Sequence, residues 1–309
     1  MGAFLPVVVP IFLVVGYGYL VVRLGLMSDA AIDGLMRFAG NFAIPILLAL
    51  GIATLDLSAN FDLAMLTSFY GGAIAAFVVG LFGTRFLFGR PWEDAAVVGF
   101  CALFSNTVMV GLPIVERAHG AEELGRSIVI VSLHAPICYT LGVAVMEGIR
   151  NSGRGVGRTV LRVLASMARN PFIIGISVGF ALNLSGLPIP SMARDALDMM
   201  VRAALPVALF GLGGMLVRYR PEGDLRLIAF ACAVSLLVHP AVAWALGRGA
   251  GLDPAALRAA VTIAAMPVGL NAFLFAEHYG RARRVAASTV LFSTILSFTG
   301  VLFWLTVLG

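Results

Sequence analysis

Two stretches of this 309-residue chain place an asparagine, a glycine and a proline near the middle of an apolar run. The first reads Ser105-Asn106-Thr107-Val108-Met109-Val110-Gly111-Leu112-Pro113, the second Met266-Pro267-Val268-Gly269-Leu270-Asn271-Ala272-Phe273. Proline lacks an amide hydrogen and clashes with the preceding turn, glycine loosens a helix, and asparagine competes for main-chain groups. Unwound backbone at bilayer depth has amides and carbonyls that lipid cannot satisfy, so each break must face protein, water or a ligand. The half-helix after a break begins with free amides and about half a positive charge, which suits an anion such as a carboxylate. No Asp or Glu lies in the middle of either run, and Glu116 and Glu277 stand near the ends. An all-acidic cation site is therefore absent, while sodium held by carbonyls stays open. The spacing nominates Ser105, Asn106, Thr107, Gly111, Pro113, Met266, Pro267 and Asn271 as substrate-binding residues. The plainer alternative is a pair of proline kinks with Asn bonding between helices.

His134, in Leu133-His134-Ala135-Pro136, and His239, in Val238-His239-Pro240, also lie inside apolar runs. A titratable side chain at such a place is a functional candidate by default, and histidine can carry a coupling proton near neutral pH. The alternative is a ring that donates to a carbonyl released by the adjacent proline. His134 stands as the binding and coupling candidate and His239 as structural. Asp198 and Arg202 are spaced i, i+4 and are expected to pair on one helix face, with an arginine gate for anions as the alternative. Asp33 and Arg37 repeat that spacing. The four histidines lack paired ligand spacing, so neither a metal site nor a cofactor is expected. Gly175-Ile176-Ser177-Val178-Gly179 matches a hydrolase elbow but sits inside an apolar run, where it reads as a helix-packing motif. Gly153-Arg154-Gly155-Val156-Gly157 follows no strand, so phosphate binding is not expected.

The elements that hold these residues follow from composition. Hydrophobic residues make up 60% of the chain and charged residues 12%, with a mean hydropathy of +0.99. Soluble domains run near about 45–50% apolar and about 25% charged, so this is an all-α integral membrane protein. Ten runs are long enough to cross a bilayer: 3–24, 34–54, 63–84, 94–116, 124–148, 170–187, 193–216, 225–246, 256–277 and 285–308. The 21 basic residues are all arginine. With the N-terminus outside, 15 fall on the inner side and six on the outer, which predicts both termini periplasmic in a cell inner membrane. That arginine bias also accounts for the net charge of +5 without nucleic acid as a partner. The first run lacks a basic leader and a small-residue cleavage site, so no signal peptide is expected. Cys101, Cys138 and Cys232 lie in apolar runs and read as packing residues.

An offset of 161 superposes Pro10 on Pro171, Gly18 on Gly179, Pro45 on Pro206 and Ser105-Asn106 on Met266-Pro267. Five spans per half then face opposite ways, the inverted-repeat plan of secondary transporters. This gives a first repeat over 1–149, a basic cytoplasmic linker over 150–169 expected to lie as an amphipathic helix on the lipid surface, and a second repeat over 170–309.

The run 105–113 together with 266–280 resembles the auxin efflux carrier family. Asn41-Phe42-Ala43-Ile44-Pro45, Asn170-Pro171 and Ala204-Leu205-Pro206 also fit that family's pattern. The resemblance spans essentially the whole chain. It implies ten helices with broken crossover helices 4 and 9, and the fold of bile acid sodium symporters. It implies a scaffold of helices 1, 2, 6 and 7, a moving transport domain of helices 3–5 and 8–10, and a homodimer. It brings Asn41 into the candidate site and puts His134 beside the first break. Plant members have a proline before the first-break asparagine and a long central loop. This chain has Ser105 and no such loop, so bacterial-type members linked to dicarboxylates such as malate and malonate are the better comparison. The expected function is a carrier of a small organic anion, coupled to a proton, to sodium or to neither. A ligand sensor or scaffold that does not transport, and an anion channel, are the alternatives. No nucleophile–base pair or metal cluster points to an enzyme.

Overall fold

In the computed structural model, residues 4–150, 165 and 168–309 are described, the side chains of 121 and 122 aside. The expected amphipathic linker helix and the glycine-rich stretch 153–157 lie outside the described residues.

The chain begins with α1 (Leu5–Arg23), α2 (Asp29–Phe38), a π turn (Ala39–Ala43), α3 (Ile44–Ala53), α4 (Leu57–Asn60) and α5 (Leu63–Leu87). Next come α6 (Trp92–Leu103), a second π turn (Thr107–Gly111), α7 (Leu112–His119) and α8 (Ala121–Arg150). The remainder holds α9 (Pro171–Ser185), α10 (Ser191–Leu216), α11 (Leu225–Ala233), a third π turn (Val234–Val238) and α12 (His239–Gly249). It closes with α13 (Pro254–Ala264), α14 (Leu270–Tyr279) and α15 (Arg283–Leu308). Among the described residues the only extended pairing is one antiparallel bridge, Ser105 with Val268.

Among the described residues, seven helical stretches are long and apolar enough to cross a membrane: Leu5–Arg23, Asp29–Ala53, Leu63–Leu87, Glu123–Arg150, Ser191–Leu216, Leu225–Gly249 and Arg283–Leu308. α9 is shorter, with 15 residues, and the runs read at 94–116 and 256–277 are interrupted. Helix starts follow from side-chain caps. Asp62 accepts from the Ala64 and Met65 amides at 2.7 and 3.2 Å, Asp253 from Ala255 and Ala256 at 2.9 and 3.0 Å, and Asn170 from Phe172 at 2.8 Å. Gly280 ends α14 with φ +67°, a left-handed conformation that glycine adopts without strain.

Each π turn ends two residues before a proline, at Pro45, Pro113 and Pro240. Proline cannot bond to the carbonyl four residues back and crowds it. Widening the turn by one residue relieves that clash. The Leu236 carbonyl, four residues before Pro240, takes the Trp304 indole N–H at 3.1 Å instead.

The chain divides into two compact units. The first comprises Met1–Val8, Asp62–Leu164 and Tyr219–Gly309, and so holds α5–α8 and α11–α15. The second comprises Val9–Phe61 and Ala165–Arg218. Within the second unit, α9 lies against α3 at backbone distance. A Cβ on Gly175 would fall 2.4 Å from the Pro45 carbonyl oxygen, and one on Gly179 would fall 2.7 Å from that of Ala49. The apparent hydrolase elbow is thus a helix-packing stripe. Asn183 then covers the end of α3, donating to the carbonyls of Ile52, Ala53 and Leu55 at 2.8, 3.3 and 2.7 Å.

Two expected ion pairs are corrected. Asp198 sits 4.0 Å from Arg194, one turn before it, and not on Arg202, whose side chain is exposed. Spacing alone allows a partner at either i−4 or i+4, and the preceding turn wins. Asp33 pairs with Arg218 at 2.7 Å, while Arg37, among the described residues, reaches only the Asp33 main-chain oxygen at 3.3 Å. Arg218 also reaches the Asp29 carboxylate at 3.3 Å, so a long-range partner with two acceptors displaces the local one.

Candidate functional site

Both sequence breaks are real interruptions, and they meet inside the first unit. α6 ends at Leu103, and Phe104 is extended with φ −92° and ψ 91°. α13 ends at Ala264 and α14 starts only at Leu270. The two unwound segments bond to each other. The Asn106 amide donates to the Pro267 carbonyl, and the Gly269 amide donates to the Phe104 carbonyl, each at 2.7 Å. A third orphan is met from α15, where the Ser293 hydroxyl oxygen accepts from the Val268 amide at 3.0 Å. Polar main chain that lipid could not satisfy is thus paired within protein.

Asn106 caps the segment that follows. Its Oδ1 accepts from the Met109 amide at 3.3 Å. Because an amide can only donate there, Oδ1 and Nδ2 are assigned, and Nδ2 has no hydrogen-bond partner among the described residues. Asn106 is 8% exposed, so this donor is held in a nearly enclosed place. Ser105, Thr107 and Met266 are buried beside it. The joint is tight at Gly111, where a Cβ would lie 2.9 Å from Ile263 Cδ1 and 3.2 Å from Met266 Cγ. Pro113 lies at the start of α7. Asn271 lies in the first turn of α14, half-buried, with its side chain unbonded among the described residues. The first-turn amides of Leu270 and Asn271 lack intrahelical acceptors, as at any helix start. The donors at the joint are a carboxamide, a hydroxyl and two helix N-termini, with no carboxylate among the residues named. Chemically, that set can take a carboxylate.

His134 packs its ring on Phe104 at 4.7 Å between centroids, beside the first break, and its Nδ1 is 3.5 Å from Cys138 Sγ. Asn41, on the first π turn, and Asp198 and Arg202, on α10, belong to the second unit. Two residues that sequence reasoning left aside reach the joint. One is Ser293. The other is His239, whose Nδ1 lies 3.3 Å from Ser105 Oγ. The sequence signal for Ser293 was present, since Thr289, Ser293 and Ser297, all buried, are spaced i, i+4, i+8 and form a stripe on one face of α15. No local signal links His239 to a serine 134 residues away.

Charged groups cluster at the helix ends of this unit. Glu93 pairs with Arg150 at 3.3 Å and with Arg281, which also reaches Asp94 at 3.2 Å. Arg90 pairs with Asp224 at 2.9 Å, and its hydrogen bond holds that carboxyl below the usual carboxylate range. Glu123, nearly enclosed, takes two hydrogen bonds from Arg258 at 3.0 and 2.5 Å. Next to it, His119 is held below the usual histidine range by burial, against the pull of Glu123.

These features define a multi-pass helical membrane protein with two interrupted helices joined at their breaks. The chain belongs to the membrane transport protein family of auxin efflux carriers, whose pattern matches residues 3–305. It is 25% identical over 295 residues to a Rhizobium meliloti protein provisionally named a malonate transporter, covering 94% of this chain and 91% of that one. It is 21% identical over 298 residues to the Escherichia coli K12 protein named uncharacterized transporter YfdV, covering 96% and 93%. It is 26% identical over 157 residues to auxin efflux carrier component 2 of Oryza sativa, covering 48% of this chain and 25% of that one.

Proposed function

We propose that this protein is a secondary carrier that moves a small organic anion, a carboxylate or dicarboxylate such as malonate or malate, across the cell inner membrane by alternating access. The observation that carries the reading is the joint itself: two half-helix N-termini and the unpartnered Asn106 Nδ2 converge where the two breaks bond to each other. An anion placed there is met by oriented donors instead of water. In this reading the chain has ten spans in two inverted repeats with crossover helices 4 and 9. Helices 3–5 and 8–10 carry the site past a scaffold of helices 1, 2, 6 and 7, as a homodimer with both termini periplasmic. The matching offsets of 161 and the division into two compact units support that plan. The relative provisionally named a malonate transporter supports the substrate class.

Counterflow tests it. Proteoliposomes loaded with unlabelled malonate should accumulate external labelled malonate when they contain this protein, and L-malate inside should serve as well. A protein that binds malonate but gives no counterflow is a sensor. One that only dissipates the gradient is a channel. Either result rejects the carrier.

A further inference from the structure

We propose that His239 is a proton-binding residue coupled to the anion at the joint, acting through the Ser105 hydroxyl; the inference rests on the anion reading above. His239 opens α12 and is fully buried. The close approach of α12 to α5 depends on Gly72, where a Cβ would lie 2.7 Å from the His239 carbonyl oxygen. The imidazole lies against the Phe69 ring at 5.0 Å, and Nδ1 faces Ser105 Oγ at 3.3 Å. Nε2 is buried and forms no hydrogen bond of good geometry among the described residues. One ring nitrogen is therefore available to take a proton without first losing a partner.

What surrounds the ring decides what that proton requires. From α5 come Tyr70, whose hydroxyl donates to the Ile130 carbonyl at 2.7 Å, and Arg85 near the helix end. From α13 comes Arg258, engaged with Glu123. The π turn Val234–Val238 has no titratable group, and α12 itself adds only Arg248 near its last turn. α8 adds His134 and Cys138, bonded to each other. Among the described residues Glu123 is the one buried carboxylate, and Arg258 occupies it. Nothing acidic is left over for His239. A buried imidazolium without a counter-charge is costly, so the proton needs an anion to accompany it. By reciprocity the anion binds better when the proton is there. His134 packs on the same Phe69 ring at 5.6 Å, so a second positive charge there is opposed and one proton per anion is expected.

The hydrogen bond to Ser105 transmits the change. A neutral imidazole presents either a lone pair or an N–H at Nδ1, whereas the protonated ring presents only N–H. Protonation therefore fixes one direction: Nδ1–H donates, Ser105 Oγ accepts, and the serine O–H is turned out toward a carboxylate. Deprotonation lets Ser105 donate back to the ring, which withdraws that donor from the anion.

The sign follows from linkage. The bound anion raises the proton affinity of His239. Malonate affinity should be flat at low pH, fall by up to about tenfold per pH unit between the ring's titration in the free and the bound protein, and flatten again above. Malonate titrated calorimetrically into purified wild-type protein, in two buffers of different ionisation enthalpy, should show uptake of about one proton beyond the ligand's own. His239→Asn keeps a donor toward Ser105 but cannot ionise. It should lose both the extra proton and accumulation driven by a pH gradient, and its malonate affinity should no longer change with pH. Ser105→Ala should weaken binding and flatten its pH dependence. Equal proton uptake in wild type and His239→Asn overturns the proposal, as does loss of pH dependence in His134→Gln with its retention in His239→Asn. If His239→Asn does not fold, Ser105→Ala and His134→Gln decide: unchanged pH dependence in Ser105→Ala, or its loss in His134→Gln, overturns the proposal. Wild-type malonate exchange without proton uptake rejects this inference only, whereas no exchange of any dicarboxylate rejects the carrier reading with it.

Discussion

In the carrier we propose, Asn106 performs two jobs with two different atoms, and substitution can separate them. Oδ1 caps the half-helix by accepting from the Met109 amide at 3.3 Å, while Nδ2, without a partner among the described residues, is the donor assigned to the anion. Asn106→Ala removes both. Loss of the cap should cost about 0.5–2 kcal/mol of stability. Loss of a donor to a carboxylate should cost about 1.5–3 kcal/mol of binding, roughly 10- to 150-fold in affinity at about 1.4 kcal/mol per decade. Asn106→Asp keeps the capping oxygen, and Asp caps about as well as Asn. It replaces the donor with a negative charge facing the anion. At about 4 Å and an effective dielectric near 20 the repulsion is about 4 kcal/mol, so affinity should drop by roughly a thousandfold or more. The two variants should rank in opposite orders. Alanine should melt lower, and aspartate should bind malonate more weakly. Melting in detergent and calorimetric malonate titration read the two scales on the same preparations. If aspartate binds malonate as wild type does, or if affinity merely follows melting temperature across both variants, the anion does not meet Nδ2 and the site lies elsewhere.

Gly111→Val should force Ile263 and Met266 apart, costing about 1–3 kcal/mol in melting experiments and abolishing counterflow. Glu123→Gln should leave Arg258 without its charge partner and destabilise the protein by about 1–3 kcal/mol, with wild-type melting restored in part by Arg258→Met. Asp224 has its carboxyl lowered by the Arg90 hydrogen bond, so its stabilisation is present above the unfolded carboxylate range and is lost as pH falls through the lowered folded value. Asp224→Asn should therefore flatten the acid limb of the melting profile and leave the alkaline limb as it was. A reporter fused after Gly309 should be active in the periplasm, and activity confined to the cytoplasm would reverse the assigned orientation.

The breaks were legible because their causes are local. Asn106, Gly111 and Pro113, or Pro267 and Gly269, weaken a helix wherever they occur, and their depth in an apolar run is a matter of counting. The span ends were legible for the same reason, since caps such as Asp62 and Asp253 sit where hydrophobicity begins. Partner choice was not. Asp33 and Asp198 each had a plausible arginine one turn ahead, yet Arg218, brought in by tertiary packing, took the first, and Arg194, one turn back on the same helix, took the second. The Ser105–His239 contact joins two breaks in helix regularity that are far apart in sequence, and apolar spacing contains no information about which faces meet. The π turns were hidden too: a proline follows each of them, yet Pro10, Pro136 and Pro206 sit inside helices without one, so proline alone does not announce the turn.

The two short hydrogen bonds between Phe104–Asn106 and Pro267–Gly269 have a consequence for how a cargo can be selected. They consume the main-chain groups closest to the joint, so those groups read nothing. In the proposed carrier, discrimination between one small diacid and another should then fall to the next layer outward, to Asn106 Nδ2, the Ser105 hydroxyl and the opening turn of α14. Breaking either stitch would leave an amide and a carbonyl unpaired inside the protein, at a cost of about 1–3 kcal/mol for each group. In the carrier we propose, the joint is therefore a rivet, not a hinge: whatever else bends as a solute is handed from one side to the other, the place that grips it should travel unbent.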